Sequence, residues 1–140
     1  MRFSEQQLEK IFLRTSGYCH ICHKKLGMNN YAAEGKRGAW EVEHSNPQAK
    51  GGTHRLTNLY PACIRCNRTK GTKSSRSARA KHGKTRAPLS HHKRRKAKVT
   101  NAFKGALLGG VTGIFIAIDV AGALVIVGVL IGYWRNPDAD

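Results

Sequence analysis

Four side-chain chemistries are grouped within residues 19–71. Cys19 and Cys22, then Cys63 and Cys66, form two C-x-x-C pairs. Four thiolates at this spacing suit a closed tetrahedral zinc site, which holds a fold and leaves no position open for substrate. Between the pairs lies Glu43-His44, followed by Asn58, and Asn67 comes directly after Cys66. A neutral imidazole takes up a proton near pH 7, as few unperturbed side chains do. A carboxylate oxygen and an amide oxygen are acceptable ligands for a hard divalent ion such as Mg²⁺ or Mn²⁺.

These residues need short elements to position them. Ser4-Glu5-Gln6-Gln7 reads as a capping box opening a helix, with Leu8, Ile11 and Phe12 on its apolar face and Gly17 as its stop. The first knuckle follows, then a polar loop from Lys24 to Gly38. The alternation in Ala39-Trp40-Glu41-Val42-Glu43-His44 predicts a half-buried strand. Pro47 and Gly51-Gly52 break it into a long loop, and Leu59-Tyr60-Pro61 leads back to the second knuckle. A helix is expected from Asn67 to about Lys81, weakened by Gly71. Neighbouring strand residues point to opposite faces, so Glu43 and His44 share one site only if the strand ends or bends there.

The sequence resembles the HNH endonuclease family, the zinc-knuckle branch of the ββα-metal nucleases. The matching elements are C-x-x-C, E-H-x-x-P, G-G, N-L and C-x-x-C-N-x-x-K-G, in that order, over about residues 19–71. The resemblance implies a small α+β domain of two strands and a helix around the zinc site. It implies His44 as general base, Asn58 as the holder of the loop that orients His44, and Glu43 and Asn67 as ligands of a catalytic Mg²⁺ or Mn²⁺. Many relatives have Asp where Glu43 stands, and some have His where Gly71 stands. His54 could add a ligand, and His20 and His23 stand outside a shell already filled by four cysteines.

Composition supplies the partners. The chain has 140 residues and a formal charge of +17, and residues 65–98 carry fourteen Lys/Arg and no acid. A polyanion is the expected partner, DNA first and RNA second, contacted by Arg65, Arg68, Lys70, Lys73 and Arg76. No aromatic residue interrupts this block, so stacking on single-stranded bases is not expected and sequence specificity should be low.

Four segments are expected: a nuclease-like domain over 1–81, a basic linker over 82–104, an apolar glycine-rich segment over 105–134 and a polar tail over 135–140. Ala106 to Trp134 carries one charge, Asp119, and as a helix would be about 43 Å long, enough for one tilted membrane span or two short helices. Gly105, Gly109, Gly113, Ala117 and Ala121 form a stripe of small residues suited to self-association in lipid. The N-terminus shows no secretory pattern, and the basic flank places the domain on the cytosolic side of a membrane, where paired thiols bind metal rather than oxidise. The competing readings are a zinc-knuckle module that binds nucleic acid without cutting it, and a membrane-active toxin working through its C-terminal segment.

Overall fold

The computed structural model describes residues 3–113 and 134–138. Helix α1 (Glu5–Leu13) begins where the capping box predicts: Ser4 Oγ accepts from the Gln7 N–H, and Gln7 Oε1 accepts from the Ser4 N–H. Its buried Ile11, flanked by Leu8 and Phe12, faces Trp40, whose fully buried ring packs between Phe12 and Tyr31.

Trp40 starts strand β1 (Trp40–His44), which pairs antiparallel with β2 (Leu59–Cys63) from Trp40↔Cys63 to His44↔Leu59. A two-stranded sheet is marginal alone and must be covered. Trp40 is buried at one end of β1 and Glu43 at the other, so simple alternation between a wet and a dry face does not describe this strand. Arg14 braces β2 by donating to the Leu59 carbonyl and to Tyr60 Oη, with its guanidinium over the Tyr60 ring.

The expected helix over 67–81 is instead two helices, α2 (Ile64–Lys70) and α3 (Ser75–Ala80). Gly71 adopts φ 52°, ψ −127°, a conformation that ends α2, and Ser74 caps α3 by accepting from the Ser77 N–H. The break turns α3 back so that its Ser75 and Ala78 are buried.

The two knuckles meet where the His20 N–H donates to the Pro61 carbonyl. Their four Sγ atoms lie within 4.8 Å of one another, with Cys19–Cys63 at 3.8 Å and Cys22–Cys63 at 3.9 Å. Tetrahedral zinc with ligands at about 2.3 Å requires sulfur separations of about 3.8 Å, so the four residues fit the ion. Backbone N–H groups of Ile21, Cys22 and Cys63 point at Cys19 Sγ. Crowding splits the acidities. Hydrogen bonds from Cys19 above all pull the Cys63 thiol down to about 7 and Cys22 below the thiol range, while neighbouring sulfurs push Cys19 and Cys66 up. A cation among the four sulfurs would relieve this mutual repulsion.

The first of two compact units runs from Met1 to His91. The first part of the expected linker packs on this unit: Pro88 is buried, Ser16 Oγ donates to the Leu89 carbonyl, and His23 Nε2 lies 3.0 Å from the Arg86 carbonyl. The basic run opens helix α4 (His91–Gly113), on which Phe103 is exposed. Among the described residues no helix is long and apolar enough to cross a membrane. Most of the 105–134 segment, including Asp119 and the end of the small-residue stripe, lies outside the described residues.

Chelation of zinc, or Cys63→Ser, is expected to unfold the Met1–His91 unit, because in small zinc domains metal binding supplies folding free energy of about 10–16 kcal/mol. Loss of near-ultraviolet circular dichroism from buried Trp40 on adding chelator checks this. A spectrum that survives complete metal removal would show that the thiols are not the staple.

Candidate functional site

Site geometry follows from β1 remaining paired through its last residue. Glu43 opposes Tyr60 and His44 opposes Leu59, so the two adjacent side chains diverge.

Glu43 turns inward and is fully buried. Oε2 accepts from His20 Nδ1 at 3.0 Å, while Oε1 accepts from Ser75 Oγ and pairs with Lys70 Nζ at 3.2 Å. Burial pushes its pKa up, but the bonds from His20 and Ser75 and the charge of Lys70 outweigh this and hold it below its ordinary 4.5. Arg79 donates to His20 Nε2 at 2.8 Å, which fixes His20 as the neutral Nδ1–H form. Burial accordingly lowers the pKa of His20. The His20 ring also stacks on Tyr60 at 3.9 Å. A carboxylate engaged in this way does not fit the expected role of catalytic-metal ligand.

His44 turns outward and is half-buried. Its Nε2 lies 3.1 Å from His54 Nδ1. Burial, the neighbouring His54 and Lys70 lower its pKa, against a smaller opposing effect of Glu43. It lines an open cleft of about 230 Å³ together with Asn67, Pro47, Gln48, Lys70 and Gly71. Asn67 donates from Nδ2 to Glu41 Oε2 at 3.0 Å, a carboxylate the sequence reading passed over.

Asn58 ties the loop after β1 to itself. Its Oδ1 accepts from the Asn46 N–H at 2.7 Å, and its Nδ2 donates to the carbonyls of Asn46 and Thr53. Its own carbonyl accepts from the Ser45 N–H. Gly52 completes the turn, since a Cβ there would meet the Asn46 carbonyl oxygen at 1.9 Å.

The basic residues divide. Arg65, Lys73 and Arg76 are exposed. Lys70 is buried, bonded to Glu43 and to the His44 carbonyl, and is not available to a phosphate. Arg68 is at the surface but paired with Glu34 and Glu41. The chain thus brings His44 and Asn67 to the cleft, sets His54 against the His44 ring, keeps Glu43 buried, and leaves Lys70 on the cleft wall with its ammonium paired to Glu43.

Glu43→Ala strands a buried ammonium and is expected to cost about 3–5 kcal/mol. Loss of the exposed Arg68–Glu34 pair by Glu34→Ala should change stability little. Urea denaturation of the zinc-loaded chain measures both. Because the Glu43 pKa lies below 4.5, its contribution is complete above that pH and is lost as acid titrates the folded carboxylate. Equal, small effects of the two substitutions would contradict the inward role of Glu43.

No curated protein and no solved structure matches the chain. Residues 19–73, which contain the four cysteines, Glu43-His44, Asn58 and Asn67, match the family model described as HNH endonuclease.

Proposed function

We propose that this chain is an endonuclease that hydrolyses DNA phosphodiesters with low sequence specificity, with His44 as general base. One observation carries the reading: within the span matching the HNH endonuclease family, the half-buried His44 imidazole opens onto a cleft shared with Asn67. In the proposed reaction His44 takes the proton from a water attacking phosphorus, the bond to the leaving oxygen breaks, and that oxygen is protonated from solvent. Asn58 keeps the loop beside His44 in place, and Arg65, Lys73 and Arg76 hold the backbone without reading bases. Zinc in the four-cysteine site is structural. A divalent requirement, Mg²⁺ or Mn²⁺, belongs to the same proposal and rests on the family match, because Glu43 is not offered to the cleft. The apolar 105–134 segment is proposed to hold the chain at the cytosolic face of a membrane, where its small residues would favour a second copy.

The inward Glu43 also favours a second reading, a zinc-knuckle module that binds DNA without cutting it. Plasmid nicking with Mg²⁺ or Mn²⁺ separates the two. The native chain should cut, EDTA should stop it, and His44→Ala should lose about 10²–10⁴-fold in rate. Equal rates for native and His44→Ala would remove His44 from the chemistry. An RNA substrate run in parallel decides between the polyanions.

With its pKa lowered from 6.5, His44 stays neutral to more acid pH than an ordinary histidine. The acid limb of kcat/KM should therefore fall below pH 6.5 and vanish in His44→Ala. Truncation after Lys98 should move the chain from the membrane fraction to the soluble one; retention in the membrane fraction would place the anchor elsewhere.

A further inference from the structure

With Glu43 turned inward, the side-chain atom that meets His44 is a nitrogen. His54 Nδ1 stands 3.1 Å from His44 Nε2, with the ring centroids 4.9 Å apart and the planes at 82°. A shared proton accounts for this separation, and so does a shared metal ion. With metal–nitrogen bonds of about 2.0–2.1 Å, such a gap corresponds to a ligand–metal–ligand angle near 100°, close to tetrahedral.

The far side of His54 carries a second observation. Its Nε2 lies 2.6 Å from the side-chain amide of Gln48. Turned to present its oxygen, that amide accepts the Nε2 proton and leaves the Nδ1 lone pair facing His44, as an outer partner does for a ligating histidine. Asn58 bonds both Asn46 and Thr53, so the loop carrying Gln48 and His54 is pinned on either side.

We infer that His44 and His54 chelate a borderline transition cation such as Zn²⁺, Ni²⁺ or Cu²⁺, and that this ion switches hydrolysis off by occupying the nitrogen that would accept water's proton. Imidazole suits these ions, whereas Mg²⁺ prefers oxygen and does not compete for the pair. Two imidazoles at an exposed loop leave the remaining positions to water, so the ion exchanges with solvent while the four-thiolate zinc stays. The regulatory half rests on His44 being the general base.

The test titrates Ni²⁺ into the zinc-loaded full chain by calorimetry. The exposed neighbours His91 and His92 contribute the same background to every variant. The native chain should bind one equivalent that His44→Ala and His54→Ala each lack, and Gln48→Ala should weaken it about 10-fold or more. Superimposable native and His54→Ala isotherms would mean that the rings share only a proton, and the site would be disproved. DNA cleavage in Mg²⁺ is then followed at rising Ni²⁺, each protein normalised to its own nickel-free rate. The native rate should fall as the His54-dependent equivalent fills, and that of His54→Ala should not. An unchanged native rate at saturation overturns the regulatory half. A His54-dependent equivalent in a chain that cuts nothing sinks the general-base reading and leaves the metal site standing.

Discussion

The buried carboxylate of Glu43 is the contact on which the rest of the domain depends. It draws together His20 from the first knuckle, Lys70 from α2 and Ser75 from α3, none of them adjacent in sequence. An ion taken out of water costs several kcal/mol unless its partners are well placed, so this anion tolerates few arrangements of the elements around it. The cysteine cluster joins the two knuckles, and Glu43 fixes how the helices after the second knuckle fold back. Lys70 then links floor to rim, since the ammonium that pairs with Glu43 also donates to the carbonyl of His44.

That link explains how so small a sheet presents the His44 ring at its surface. His44 is the last residue of β1, with its carbonyl held by Lys70 and the loop beyond it closed by Asn58. Backbone restraint comes from buried groups, while the imidazole itself stays half-exposed. Its neighbours and partial burial disfavour the charged form, which leaves a base at neutral pH.

Much of this was legible in the sequence where the signal was local. The capping box at Ser4 and the paired cysteines each depend on a few residues at fixed spacing, and Asn58 as the holder of its loop followed from the family resemblance. What was not legible depended on partners far along the chain. Glu43 reads as a ligand beside His44, yet β1 stays regular to its end and alternation sends the carboxylate inward to residues at 20, 70 and 75. Lys70 and Arg68 read as phosphate contacts because a basic run does not show which of its members answer buried or neighbouring acids. The break at Gly71 was visible as a weakness in one helix, but the return of α3 required knowing that Ser75 had a buried acceptor. His54 was open to reading as an extra ligand, but only the closure by Asn58 brings it to His44.

The pairing of acids with bases also shapes how the chain would meet a polyanion. Although the net charge is +17, the acids nearest the cleft are placed against cations: Glu43 against Lys70, Glu34 and Glu41 against Arg68. The positive potential beside His44 is therefore weaker than the residue count suggests, while Arg65, Lys73 and Arg76 stand exposed. A duplex drawn by long-range attraction would be gripped by those exposed side chains, with phosphate contacts that weaken as salt rises. The cleft would then receive one phosphate by position rather than by charge, which suits the proposed base: a dense field of cations around His44 would keep it neutral but, by the same lowering of its pKa, make it a poorer acceptor of water's proton.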